Sequence, residues 1–213
     1  MAAAADLDAV TLDALGTLVE LADPVPGLRR ALHSHGVERE DAAVGRAFAA
    51  EVEYYLPRAH TGSDPETLRT LRQDCAGVFL EACEADLDPA VFAPDFDAAI
   101  EFRLLPDVLP ALDALHAAGL SLACVANWDI SLSDHLERLG LVQQFAATVS
   151  SAEAGAQKPD PRPFELALER LRVPASRALH CGDSDADRKG AERAGLAFEP
   201  DPVATLPERL GIR

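Results

Sequence analysis

Five short apolar runs alternate with helical patterns along the chain, and no other feature of the sequence restricts the fold as strongly. The segments between these runs repeat apolar residues at three- and four-residue intervals, which is the spacing of one helix face. Strands that alternate with helices form a parallel sheet with helices on both faces. We therefore predict an α/β fold. The five predicted strands are 9–13, 120–126, 145–150, 177–182 and 195–199.

The interval from 21 to 100 interrupts this alternation. It holds four consecutive helical patterns, the last of which runs from Pro89 to Phe102, and no convincing strand. The first strand is therefore followed by an all-helical insertion, after which the sheet resumes. We predict a core built from 1–20 and 101–213 and a helical domain at 21–100.

The charge of the chain restricts its partners. Its 213 residues include 19 Lys and Arg against 36 Asp and Glu, a net charge of −17, and no run of basic residues. Nucleic acids and anionic membranes need a basic patch, so we expect neither as a partner. A small anionic substrate is compatible with this charge if local cations receive it. The N-terminus has no basic leader, and no stretch is long enough to cross a bilayer, which favours a cytoplasmic protein.

Polar residues follow the first predicted strand at the point where ligands collect in open parallel sheets. Asp13 ends the apolar run, and Gly16 and Thr17 come next. A carboxylate at a strand end can attack an electrophile or bind a cation. Taken alone, the stretch favours a surface aspartate that caps a turn.

Two further strand ends carry groups that suit an anion. Ala126 and Asn127 precede a helix expected to begin near Ile130, where free backbone N–H groups and the Asn127 amide can bind an anion. The alternative is that Asn127 and Asp129 only cap that helix. Lys158, one of only two lysines, stands just before another helix and can neutralise a bound anion. Its ordinary alternative is a solvated surface lysine.

The fourth strand end is acidic. Asp183, Asp185 and Asp187 lie within five positions, and oxygen ligands at this density suit Mg²⁺. A calcium loop of the D-x-D-x-D-G type is excluded, because Arg188 stands at its glycine position and Ala194 at its terminal glutamate. A magnesium site therefore fits better than a calcium loop or a merely solvated acidic loop.

Taken together, the four strand ends resemble the motifs of a known family. In chain order they read LDALGTL, ACVAN, the lysine of GAQKPDPRPF, and GDSDADRKGA. This series resembles the haloacid dehalogenase-like hydrolase superfamily, and lies nearest its rhythmically-expressed-gene-2-like and haloacid dehalogenase-type subgroups. The resemblance implies a Rossmann-like core and makes the helical domain a C1-type cap, a mobile lid that gives substrate specificity.

The resemblance also implies roles for single residues. It makes Asp13 the nucleophile, which forms a covalent aspartyl intermediate, and Lys158 the cation that holds Asp13 and the transferred group. The predicted substrate-binding residues are Thr17, Ala126 and Asn127. The predicted Mg²⁺ ligands are Asp13, the backbone carbonyl of Leu15, Asp183 and Asp187, the last directly or through water.

Two positions depart from the pattern of the family's phosphatases. Those enzymes carry an aspartate at position 15 as general acid and base, a function worth ~10²–10⁴-fold in rate, and this chain has Leu15. They also carry Ser or Thr at position 126, where this chain has Ala126 and lacks a donor worth about 10²-fold. We expect a Mg²⁺-dependent phosphatase-type hydrolase of a small phosphorylated metabolite, weakened by these losses.

The departures leave two alternatives open. One is a non-catalytic or nearly inactive protein that binds a ligand. The other is a 2-haloacid dehalogenase, since a halide leaves without a proton and the dehalogenase branch also lacks the second acid. That branch, however, usually lacks the Gly182-Asp183 metal position, and it has a tyrosine near the position of Phe164.

Overall fold

The structure is a computed structural model that describes residues 6–200 and 202–212. Its contacts divide the chain into two units, one formed by Met1–Glu20 and Arg103–Arg213 and the other by Leu21–Phe102. The strands in chain order are β1 (Ala9–Leu12), β2 (Val19–Leu21), β3 (Phe102–Leu104), β4 (Ser121–Ala126), β5 (Ala147–Ser150), β6 (Ala178–Gly182) and β7 (Ala197–Pro200).

Helices separate most of these strands. In chain order they are α1 (Val25–Ser34), α2 (Asp41–Tyr55), α3 (Pro65–Ala82), α4 (Pro89–Ala98), α5 (Val108–Ala117), α6 (Leu132–Arg138), α7 (Ser151–Ala154), α8 (Arg162–Leu171), α9 (Asp185–Ala194) and α10 (Leu206–Arg209). Within the described ranges, no helix combines the length and the hydropathy that crossing a bilayer requires.

The first unit is built on a five-stranded sheet in the order β5-β4-β1-β6-β7. Every neighbouring pair in it is parallel, which confirms the predicted α/β fold. β1 and β6 are buried along their whole lengths, as expected for central strands covered on both faces. One apolar cluster beside the sheet contains Val125, Val149, Phe164, Ala167, Leu168 and Ala191.

The register of the sheet fixes where the strand ends meet. Leu12 is paired with Cys124 of β4 on one side and with Cys181 of β6 on the other. The backbone N–H of Asp13 then donates to the Cys181 carbonyl at 3.0 Å. The segments that follow β1, β4 and β6 therefore leave the sheet at the same edge.

The second unit contains α1 to α4 around its own apolar core, whose centre is a cluster of Phe79, Phe92 and Phe96. The helix predicted to run through Phe102 ends earlier, at Ala98, and Phe102 opens β3. β3 pairs with β2 in a separate two-stranded sheet. The backbone at Phe102 is therefore used in strand pairing and not in a longer α4.

Candidate active site

A buried lysine joins two of the predicted acids. Lys158 is 6% exposed, and its Nζ donates to Asp13 Oδ1 at 2.5 Å, to Asp187 Oδ1 at 2.5 Å and to the Val125 carbonyl at 3.0 Å. An ammonium has three N–H donors, so all of them are used. The structure thus rejects the alternative of a solvated surface lysine.

The charges of this cluster act on one another. Burial lowers the pKa of Lys158, but the negative charges of Asp13 and Asp187 outweigh burial and raise it, so the side chain stays an ammonium. Burial raises the pKa of Asp13 above its ordinary value, although the charge of Lys158 opposes this rise. A single ammonium therefore does not fully stabilise the negative charge placed at Asp13.

Asp187 lies in the first turn of α9, and four donors surround its carboxylate. Oδ1 accepts from Lys158 and from His180 Nε2 at 3.0 Å, while Oδ2 accepts from the Ser184 backbone N–H at 3.1 Å and from the Ser184 hydroxyl. Burial raises the pKa of Asp187, but the His180 hydrogen bond and the Lys158 charge together place it well below its usual range. A carboxylate offers about four lone-pair sites, and these four donors fill them.

Asp183 completes a group of three acids. One carboxylate oxygen from each of Asp13, Asp183 and Asp187 lies within 4.8 Å of the others, so the group could hold a metal ion. Gly16 makes this approach possible. A Cβ built on Gly16 would lie 2.1 Å from Asp183 Oδ2, and the backbone φ of Gly16 is +89°. The glycine of the first motif thus leaves room for the acid of the fourth.

Asn127 holds the backbone of Lys158. Its amide Nδ2 donates to the Lys158 carbonyl at 3.1 Å, and its Oδ1 accepts from the Lys158 N–H at 2.8 Å. The helix expected near Ile130 begins later, at Leu132, because Asp129 Oδ1 accepts from both the N–H and the hydroxyl of Ser131. The role of Asn127 toward a substrate stays a prediction.

The remaining predicted site residues lie near the same strand ends. Ala126 is buried at the end of β4, and Leu15 is 41% exposed in the segment that follows β1. Thr17 is buried, and its hydroxyl has no hydrogen-bond partner in the part of the chain that the structure describes. Thr17 therefore has a free donor and acceptor that a ligand could use.

His180 is a residue of the site that was not predicted from the sequence. This residue of β6 is fully buried. Its Nδ1 lies 2.9 Å from Thr11 Oγ1, and its Nε2 is hydrogen-bonded to Asp187 Oδ1. The Phe164 ring packs edge-on against the imidazole at a centroid distance of 4.8 Å. One signal was available, since a histidine in the apolar run ALHCG needs a buried polar partner. Phe164 itself is fully buried beside that ring.

Comparison with known proteins agrees with this geometry. A family model described as haloacid dehalogenase-like hydrolase matches residues 7–195. The chain is 32% identical to haloacid dehalogenase-like hydrolase domain-containing protein 3 of Bos taurus, over 95% of this chain and 86% of that protein. It is also 32% identical to a phosphoglycolate phosphatase of Rhodospirillum rubrum, over 93% of this chain and 83% of that protein.

The fold of the chain also has a counterpart among solved structures. The crystal structure of a 2-haloacid dehalogenase from Pseudomonas syringae superposes with a TM-score of 0.67 at 25% identity, and the match covers 96% of this chain and 98% of that one. The four strand-end motifs, their convergence around Lys158 and these matches lead to one assignment. The chain belongs to the haloacid dehalogenase-like hydrolase family.

Proposed function

We propose that the protein is a Mg²⁺-dependent phosphatase-type hydrolase that acts on a small phosphorylated metabolite through an aspartyl intermediate. The observation that carries this proposal is the hydrogen bond of Lys158 Nζ to Asp13 Oδ1 beside two further acids. A carboxylate is thereby held in place as a nucleophile, next to a cation that can receive an anionic group. Relatives named phosphoglycolate phosphatase and ribulose-1,5-bisphosphate 5-phosphatase support the same reaction class.

The charge of the cluster fits a divalent cation. Three carboxylates and one ammonium carry 3 − 1 = 2 net negative charges, which one Mg²⁺ balances. Magnesium sites commonly use one or two carboxylates and leave positions for substrate phosphate oxygens. Asp13, Asp183 and the Leu15 carbonyl would hold the ion. Because four protein donors already fill the lone pairs of Asp187, we infer that this residue supports the site by anchoring Lys158.

The transfer step uses groups that the chain supplies. An Asp13 carboxylate oxygen attacks phosphorus, the bond to the leaving oxygen breaks, and that oxygen departs with the electron pair. Lys158 stabilises the charge on the transferred group, and bound Mg²⁺ would act there as a Lewis acid. Water then attacks phosphorus, and the bond from phosphorus to the Asp13 oxygen breaks with its electron pair left on Asp13. The proton that the attacking water loses passes to solvent, phosphate leaves, and the Asp13 carboxylate is restored.

Leu15 shapes which substrates can react. A leucine can neither protonate the leaving oxygen nor take a proton from the attacking water. Substrates whose leaving group is stable as an anion, such as acyl phosphates or aryl phosphates, avoid the first difficulty. We therefore expect the rate of the first step to depend steeply on the acidity of the leaving group, and the second step to be slow.

A panel of phosphoesters tests the proposal. The wild type is expected to release phosphate in the presence of Mg²⁺, to lose this activity with EDTA, and to lose it in the Asp13→Asn variant. Asp185→Asn is the matched control, since Asp185 is an exposed acid of the fourth motif that pairs with Arg188 and Lys189 at the surface. Activity that survives in Asp13→Asn would overturn the mechanism.

The second candidate is a protein that binds an anionic ligand without turning it over, and Leu15 together with Ala126 favours it. This candidate predicts that calorimetry detects binding of phosphate or a phosphoester with Mg²⁺ while no product forms. A large gain of phosphatase activity in Leu15→Asp would show that the rest of the machinery is competent.

The third candidate is a 2-haloacid dehalogenase, favoured by the missing acid at position 15. It predicts release of chloride from 2-chloropropionate that EDTA does not affect. The position of Asp183 among the acids and the burial of Phe164 in the core both argue for the phosphatase instead. No halide from 2-chloropropionate with the protein in excess would eliminate this candidate.

A further inference from the structure

His180 occupies a position that the proposed chemistry does not itself use. It is fully buried in β6, its Nε2 lies 3.0 Å from Asp187 Oδ1, and its Nδ1 lies 2.9 Å from Thr11 Oγ1. Thr11 is equally buried, in the adjacent strand β1, and the two residues are partners in the sheet register. The ring therefore connects the central strand to the carboxylate that anchors Lys158.

The hydrogen bonds define which nitrogen of His180 carries the proton. An ionised carboxylate can only accept, so Nε2 must be the donor to Asp187. Nδ1 then accepts from the Thr11 hydroxyl, in the tautomer that the hydrogen-bond network assigns. The same hydroxyl also lies 3.4 Å from the Leu179 carbonyl, but this contact is longer, and the hydroxyl has one proton.

This chain of contacts restricts the carboxylate of Asp187. Oδ1 accepts hydrogen bonds from His180 Nε2 and Lys158 Nζ, while Oδ2 accepts one from the Ser184 backbone N–H. Packing fixes the ring as well, since Phe164 lies edge-on at 4.8 Å and Phe198 is tilted at 6.3 Å. Few rotations of Asp187 are compatible with all these contacts.

We propose that His180 is a positioning residue. Together with Thr11, His180 holds Asp187 so that Asp187 Oδ1 accepts a hydrogen bond from the Lys158 ammonium. This contact in turn keeps Lys158 hydrogen-bonded to Asp13. This inference rests on the proposed function, because it matters for the reaction only if Asp13 and Lys158 take part in it. His180 touches neither of those two groups in the contacts described above and acts through Asp187.

A first test needs no substrate. Nitrogen-15 NMR of histidine-labelled protein reports which ring nitrogen is protonated, and the His180 signal among the six histidines is assigned by its loss in His180→Gln. We expect a proton on Nε2 and none on Nδ1 at neutral pH. An Nε2 without a proton would overturn the proposal, whether or not the protein hydrolyses phosphoesters.

A second test separates positioning from ordinary core packing. His180→Leu removes the donor to Asp187 and is expected to lower kcat by roughly 10–100-fold with little change in KM, as for other groups that orient active-site residues. His180→Gln keeps an N–H donor at the end of the side chain and should recover most of kcat. Val149→Ala, a cavity variant in the same apolar layer, shows what loss of packing alone does to kcat.

The outcomes distinguish the two proposals. If the wild type hydrolyses phosphoesters and His180→Leu loses no more kcat than Val149→Ala, the positioning role is wrong and the proposed function stands. If the wild type hydrolyses none of the panel, the proposed function fails, and the NMR result alone decides the His180 hydrogen-bond assignment.

Discussion

Lys158 Nζ donates a hydrogen bond to Asp13 Oδ1 at 2.5 Å, although the two residues are 145 positions apart in the chain. The parallel sheet brings them together, since β1, which precedes Asp13, and β5, which precedes Lys158, both run parallel to β4 and end at the same edge. The same ammonium also holds Asp187, which lies on the helix after β6. One cation thus connects three separate segments of the sequence at a single position.

Replacing Lys158 should lower both the stability of the protein and its activity. Lys158→Met leaves Asp13 and Asp187 buried without their counterion, and we expect the free energy of unfolding to fall by about 3–5 kcal/mol. Phosphatase activity should disappear as well. Urea unfolding measures the first effect. The only other lysine is the control: Lys189 pairs with Asp185 at the surface, and Lys189→Met should cost no more than ~1 kcal/mol. Equal losses in both variants would contradict the buried pairing.

Gly16→Ala should damage the proposed metal site beyond its effect on the backbone. A left-handed φ costs a non-glycine residue about 1–2 kcal/mol, so Gly16→Ala and Gly140→Ala, with φ of +89° and +71°, should lose similar stability. Only the Cβ at position 16 meets Asp183, whereas nothing lies within 4 Å of the one at 140. Calorimetry should therefore show weaker Mg²⁺ binding in Gly16→Ala alone. Unchanged Mg²⁺ affinity there would remove Asp183 from the site.

Restoring an acid at position 15 should accelerate turnover. Leu15→Asp is expected to raise kcat by about 10²-fold, the lower end of what a positioned general acid and base contributes. It should also flatten the dependence of rate on leaving-group acidity. Because Leu15 is 41% exposed, folding should be little affected. Leu15→Asn has a similar shape without the acid, and a gain of the same size in that variant would rule out acid–base catalysis.

The buried carboxyl of Glu51 should make the stability of the helical unit depend on pH. This α2 residue is 5% exposed; burial raises the pKa of its carboxyl, although a hydrogen bond with the Cys75 thiol opposes the rise. Because the pKa of Glu51 is higher in the folded state, its contribution to the free energy of unfolding is fully present below the unfolded-state pKa of 4.5. This contribution is lost as pH rises through the folded-state pKa.

Glu51→Gln removes this loss, so the variant should melt at a higher temperature than the wild type near neutral pH. The difference should shrink as pH falls toward 4.5. Melting curves across this range measure it, with the exposed Glu53→Gln on the same helix as the control. A difference that does not vary with pH would contradict a buried, titrating Glu51.

The five strands of the parallel sheet and the acids of the site were predictable from local pattern, whereas β2 and β3 were not predicted. The buried strands β1 and β6 are mainly apolar, and Asp13 and Asp183 stand directly after them. The edge where they meet follows from the rule that parallel strands end together. Lys158 could be assigned through the series of motifs, since its own surroundings in sequence give no sign of burial.

The hydrogen bonds behind the site could not be predicted in this way. Thr11 and His180 are 169 positions apart, and their contact depends on the register of β1 against β6, which no local pattern specifies. The late start of α6 has a local cause instead, because the side-chain bonds of Asp129 to Ser131 occupy the first turn expected there. The end of α4 was missed because the pairing of β3 with β2 is also non-local.

The proposed covalent step at Asp13 can be tested most directly by trapping its product. Wild-type protein and the Asp13→Asn variant are mixed with Mg²⁺ and acetyl phosphate, quenched in acid within the first turnover, digested and sequenced by mass spectrometry. Since Leu15 leaves the hydrolytic step without a base, the phosphoenzyme should accumulate. We expect a phosphoryl group on Asp13 of the wild type and none in Asp13→Asn. Phosphate release by the wild type with Asp13 unmodified, or equal release by Asp13→Asn, would contradict the mechanism.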